Sequence, residues 1–153
     1  MEILFNHILV PVDFTEKNHA AIAVARQLAR ESGARVSLLH VIEFIDFPDD
    51  DEMSSFYDRL EKRSERELDN LLTLFADDDL DVTVETVVNN RCKGIVLYAV
   101  DNEVDLIVMS SHPLDPKKPT NGWATISYQV SALCHCSIML VKQPASVTSA
   151  GTA

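Results

Sequence analysis

The chain has 153 residues, 46% hydrophobic and 24% charged, the profile of one soluble globular domain rather than a disordered chain. Asp and Glu number 24 against 13 Lys and Arg, and the resulting formal charge of −11 argues against a surface built to grip nucleic-acid phosphates or anionic membranes. Apolar runs such as Ile8-Leu9-Val10 fall far short of the ~18 residues a membrane span needs, and no basic segment followed by an apolar stretch suggests a secretory leader.

His7-Ile8-Leu9-Val10-Pro11-Val12 reads as a first strand, ending at Asp13-Phe14-Thr15. Thr15 is a candidate N-cap for a helix carrying Ile22, Ala25, Leu28 and Ala29 on one face and stopping at Gly33. Arg35 to Val41 is a second strand, with His40 inside it as a hydrogen-bonded structural histidine, and Asp46 to Glu52 an acidic loop around Pro48. A long helix follows, in which Phe56, Leu60, Leu68, Leu71, Leu72 and Phe75 recur at helical spacing. Asp77-Asp78-Asp79 is unfavourable at a helix C-terminus and belongs in a turn.

Asp81 to Val88 alternates polar and apolar, as an edge strand with one solvated face does. Cys92 to Asn102 reads as a third helix, and Asp105 to Met109 as a central fourth strand. Three prolines make Ser110 to Gly122 a loop, before a fourth helix over about residues 124–133 and a fifth strand from Ser137 to Val141. Residues 1–143 form the domain and 144–153 a flexible tail.

Strands alternating with helices imply right-handed crossovers and an α/β fold, a doubly wound parallel sheet. A flavodoxin-like order, 3-2-1-4-5 with helices on both faces, puts the ligand cleft between strands one and four, beyond their carboxyl ends. Asp13-Phe14-Thr15 then lies beside Met109-Ser110-Ser111-His112.

Ile8-Leu9-Val10-Pro11-Val12-Asp13, Asp105-Leu106-Ile107-Val108-Met109-Ser110-Ser111-His112 and the closing Cys136-Ser137-Ile138-Met139-Leu140-Val141 together resemble the hallmark segments of universal stress protein domains. The resemblance covers about residues 5 to 142. It implies a cytoplasmic stress-response protein, usually a homodimer, in which many members bind ATP. The cleft residues it implies here are Pro11, Asp13, Val41, Met109, Ser111, His112 and Thr125. The exposed edge of strand five (Ile138, Met139, Leu140, Val141) is the candidate dimer surface.

In ATP-binding members the phosphates rest on a loop of the form Gly-x-x-Gly, nine residues, then Gly-Ser or Gly-Thr. Here Ser110, Pro113 and Ala124-Thr125 stand at those places with ten residues in between, and Asn89 stands at a further glycine position. Ser110 adds a side chain where backbone should approach a ligand, and Pro113 removes an amide donor. Lys117, Lys118 or protonated His112 can supply charge to phosphates, or the lysines are simply solvated. Asp13 is either a helix-capping or loop aspartate or a ligand group.

Two readings follow. One is a non-enzymatic binding or signalling module with an altered nucleotide loop; the other is a member that binds ATP or AMP, with Mg²⁺, and hydrolyses little or none. A phosphoacceptor domain lacks its acceptor aspartate at Val88-Asn89, and Glu16 occupies the segment where a flavin phosphate would sit. Cys134-His135-Cys136 is tighter than structural zinc spacing, so no metal is expected. No nucleophile elbow is present, and Ser111-His112 has no evident acid partner. Three cysteines that cannot pair completely fit a reducing, cytoplasmic setting.

Overall fold

A computed structural model describes residues 4–46, 50–111, 117 and 125–142. In chain order the elements are β1 (His7–Pro11), α1 (Asn18–Ser32), β2 (Arg35–Glu43), α2 (Asp50–Leu72), a 3-10 turn (Thr73–Phe75), β3 (Val82–Asn89), α3 (Arg91–Asp101), β4 (Leu106–Ser111), α4 (Ile126–Leu133) and β5 (Ser137–Lys142). The strands form one sheet in the order β3-β2-β1-β4-β5, every pair parallel. This is the doubly wound flavodoxin-like order. Helices cover both faces. The segment 144–153 expected as a tail lies outside the described residues, and among those described no helix is long and apolar enough to cross a membrane.

Side chains alternate across a strand, so β1 feeds two cores at once. Ile8, Val10 and Val12 pack on one face with Ala21, Ile22 and Ala25 of α1 and Leu68 and Leu71 of α2. Leu9 packs on the other with Ile95 and Ala99 of α3, Ile107 of β4 and Val130 of α4. A strand buried on both faces must be apolar throughout, which is why β1 and β4 carry unbroken apolar runs. β3 lies at the sheet edge and alternates in exposure along its first residues.

Helix ends depart from expectation in two places. Thr15 is not an N-cap: its N–H and hydroxyl both donate to Asp13 Oδ1, at 3.0 and 2.7 Å, and α1 begins three residues later without a side-chain cap. Asp50, Asp51 and Glu52 are not loop residues but the first turn of α2, where the positive end of the helix dipole favours carboxylates. Pro48 lies outside the described residues. Gly33 closes α1 as expected, at φ 76° with its N–H on Ala29 O at 2.8 Å. The aspartate triplet does sit in a turn, where Asp78 accepts hydrogen bonds from both Arg26 and Arg30 of α1.

α3 is capped by Asn90, whose side chain accepts from Lys93 N at 3.0 Å. One turn in, Gly94 lets the helix press on the sheet: a Cβ there meets Val41 Cγ1 at 2.9 Å and Asn89 Cβ at 3.3 Å. Valine is stiff at χ1 and cannot swing aside. Alanine is the better helix former by up to ~1 kcal/mol, but overpacking typically costs ~1–3 kcal/mol, so packing wins. Gly94→Ala is therefore expected to destabilise the fold by about 1 kcal/mol in urea denaturation; a stabilised variant would show that the contact relaxes freely.

His7, which carries no sequence signal, is a buried node. Its Nδ1 lies 2.9 Å from Asn102 O and its Nε2 2.7 Å from Ser37 Oγ, which in turn lies 2.9 Å from Thr83 Oγ1. Burial holds its pKa below the ordinary histidine value, against the opposing pull of the Asn102 carbonyl. The unfolded chain therefore takes a proton that the folded chain refuses. Stability from this group is complete above the unfolded pKa and is lost as pH falls through it. The urea midpoint is expected to drop between about pH 7 and pH 5, and His7→Gln, though less stable at pH 7, should lose less over that interval. Equal slopes for both proteins would place the pH dependence elsewhere.

Candidate functional site

The cleft opens where β1 and β4 part company. Their pairing is Ile8↔Leu106 and Leu9↔Ile107 and goes no further, whereas β1 stays paired with β2 to Pro11↔Leu39. Val12 N–H donates to Leu39 O at 2.8 Å, and Asn6 O accepts from Arg35 N, so even-numbered residues of β1 bond to β2. Odd-numbered residues bond toward β4, as His7 O does with Asp105 N at 3.1 Å. Pro11 falls at a β4-facing position and has no N–H to give. The ladder ends there, while β4 runs on to Ser111 alongside β5.

The resulting cavity has a volume of about 300 Å³. Leu39, Val41, Ile95 and Met109 make its apolar part, and Asp13, Arg91, Ser110, Thr125 and Ser127 bring polar groups to it. A small apolar chamber with a few convergent polar groups is the usual form of a small-molecule site.

Asp13 is held from several sides. Besides the two bonds from Thr15, its own N–H donates to Asn18 Oδ1 at 3.0 Å. Burial alone would raise the carboxyl pKa. The bonds from Thr15 and Asn18 and the charge of Arg91 outweigh it and hold Asp13 below the ordinary range, hence ionised. The next residue, Phe14, has φ 65°, a left-handed conformation rare for a bulky side chain and worth about 1–3 kcal/mol of strain. Its ring stacks on His40 at 4.3 Å between centroids, and His40 Nδ1 lies 2.8 Å from Val12 O. Burial lowers the His40 pKa, so Nδ1 carries the proton donated to Val12 O and the ring stays neutral. His40 is thus the structural histidine anticipated from its place in the strand.

Of the residues proposed from sequence, Pro11, Asp13, Val41, Met109 and Thr125 meet at this cavity. Ser111 does not line it. It is buried in β4 beside its β5 register partner Lys142, whose Nζ donates to Ser111 Oγ at 3.4 Å. Ser110 does, though its hydroxyl is committed to Lys17 O at 2.8 Å. His112, Pro113, Lys118 and Ala124 lie outside the described residues, and Lys117 is exposed. Thr125 caps α4, its Oγ1 accepting from Tyr128 N at 3.2 Å.

Sequence reasoning missed Arg91 and Ser127. Each lies in the first turn of a helix at the cavity, and only the asparagine before Arg91, a good N-cap residue, hinted that the first turn of α3 mattered. The described residues contain no group of three potential metal ligands. All three cysteines are free, and burial pushes Cys92 up and Cys136 up to about 11, so both stay protonated and unreactive.

The model of the universal stress protein family matches residues 4–142. No curated protein sequence matches the chain. Among solved structures, the universal stress protein UspA from Lactobacillus plantarum is 20% identical and superposes with a TM-score of 0.75 over 89% of this chain and 97% of its own. A universal stress protein family protein from Arabidopsis thaliana with AMP bound is 15% identical, with a TM-score of 0.67 over 94% and 95% of the two chains. A universal stress protein in complex with cAMP is 16% identical, with a TM-score of 0.57 over 90% and 96%. At such identities the likeness is one of fold.

Proposed function

The chain belongs to the universal stress protein family, and we propose that it acts as a stress-response module that binds an adenine nucleotide without turning it over. The observation that carries this reading is the preformed cavity at the switch point, where Asp13 stands ionised above an apolar floor. An apolar slot suits a base, and an ionised carboxylate accepts from ribose hydroxyls. The fold is shared with proteins solved with AMP and with cAMP.

Two features speak against hydrolysis. Asp13 is the carboxylate among the described cavity walls, and a carboxylate whose pKa is held low is a weak general base. Ser110 stands at the first glycine position that the family resemblance implies for phosphate binding, and its hydroxyl is turned to Lys17 O. Three free thiols agree with a reducing, cytoplasmic setting.

Function as a homodimer is part of the same proposal. β5 is an edge strand with Met139 and Leu140 exposed, and Leu133 at the end of α4 is 67% exposed. Unpaired edges with apolar side chains invite a second strand. In light scattering after size exclusion the protein should run at twice its chain mass, and Leu140→Asp at one chain mass with an unchanged melting cooperativity. A monomeric parent protein would remove the dimer from the proposal.

Nucleotide binding is checked by thermal unfolding with and without AMP or ATP and Mg²⁺. Ligand at 100 times its Kd adds ~2.7 kcal/mol. A rise in Tm with AMP is expected, lost in Asp13→Ala, with no phosphate release from ATP above buffer. No shift at several millimolar of either nucleotide would end the nucleotide reading, and steady phosphate release would end the non-enzymatic one.

A further inference from the structure

We propose that Arg91 is the specificity-determining residue of the cleft: it reads the ligand's negative charge and selects a compact monophosphate beside the ribose hydroxyls. The proposal rests on the nucleotide reading above and names what that reading leaves open. Arg91 is the basic residue among the described cavity walls. Its charge reaches both the Asp13 carboxylate and the His40 ring and lowers both pKa values, yet Arg91 closes no ion pair with Asp13.

Each of the two groups has its own support. Asp13 Oδ1 is taken by Thr15 and its backbone is tied to Asn18, while Arg91 is anchored at the start of a helix that Gly94 draws onto Val41. Opposite charges share one cavity wall unpaired with each other. A guanidinium has five donors and no acceptor, and an ionised carboxylate accepts only. The ligand that satisfies both carries hydroxyl donors and an anionic acceptor within one cavity, which describes a ribose with its phosphate.

Size and charge favour one phosphate over three. A cavity of about 300 Å³ is at the small end of ligand sites, which span ~300–1,000 Å³. The positive ends of α3 and α4, marked by the wall residues Arg91, Ile126 and Ser127, add partial charge of the same sign as the guanidinium. Set against the ionised Asp13, they leave a net positive charge of about one, which favours a single phosphate group. A triphosphate brings further negative charge to a wall that already holds the Asp13 carboxylate.

Isothermal titration with adenosine, AMP and ATP on the full chain and three variants tests this. The parent protein should bind AMP at least ~10-fold more tightly than adenosine, the effect of charge-assisted hydrogen bonds, and ATP no more tightly than AMP. In Arg91→Ala the AMP-to-adenosine ratio should fall to about one with adenosine affinity kept. Arg91→Lys, which keeps charge but loses the planar fork, should fall between. Asp13→Asn should weaken adenosine and AMP alike. Arg91 is exposed, so its variants should melt as the parent does. An unchanged ratio in Arg91→Ala overturns the proposal, as does an equal loss for adenosine and AMP, which would place the guanidinium on the base. ATP binding clearly tighter than AMP also overturns it. Absence of binding by all three ligands to the parent protein would remove the nucleotide reading itself, a result distinct from any of these.

Discussion

A parallel sheet binds ligands where two neighbouring strands stop pairing, and in this protein the stop is set by a missing proton. Pro11 occupies the position of β1 whose N–H would bond to β4, and it has none. Up to Leu9 the two strands are locked, with Ile8 and Leu9 fully buried in opposite cores. Two residues later β1 holds only to β2, and the space between β1 and β4 is open to α3 and α4. The cavity opens at that divergence.

The corner after Pro11 carries strain that the surrounding packing holds in place. Phe14 sits in a left-handed conformation, and three contacts secure it: its ring on His40, His40 on the Val12 carbonyl, and Asp13 on Thr15. These contacts explain why α1 starts late. Thr15 turns both its N–H and its hydroxyl back onto Asp13 Oδ1, and the helix starts only at Asn18, past the residue that local capping preference would choose. The carboxylate gains a fixed position and a depressed pKa from the same bonds. Structure and electrostatics are set together.

What was legible in the sequence was local. The unbroken apolar runs of β1 and β4, the Gly33 stop and the alternation of β3 carried the fold, because burial on two faces or one writes itself directly into periodicity. The cleft's position followed from topology. His7 was invisible because its partners Ser37 and Asn102 lie 30 and 95 residues away. Arg91 was invisible for a different reason: a cation in the first turn of a helix is mildly unfavourable to the helix and reads as a solvated residue. Only the packing of α3 against the end of β2 turns it into a wall of the cavity.

The shortage of glycine has a consequence for recognition. The chain has four glycines. Gly33 ends α1 and Gly94 seats α3, so the described glycines serve the framework and none lines the cleft. With no glycine among its described walls, the cavity presents side chains rather than bare backbone. Bare amides accept any anion that fits, whereas in the proposed site Asp13, Arg91 and the hydroxyls of Thr125 and Ser127 demand a pattern of donors and acceptors. In a protein of charge −11 the far field repels anions, but salt screens exposed charges beyond ~8 Å. Inside that distance the nearest cation and the helix ends decide what enters. On the proposed reading, selectivity thus depends on the placement of a few charges around one cavity and hardly at all on net charge.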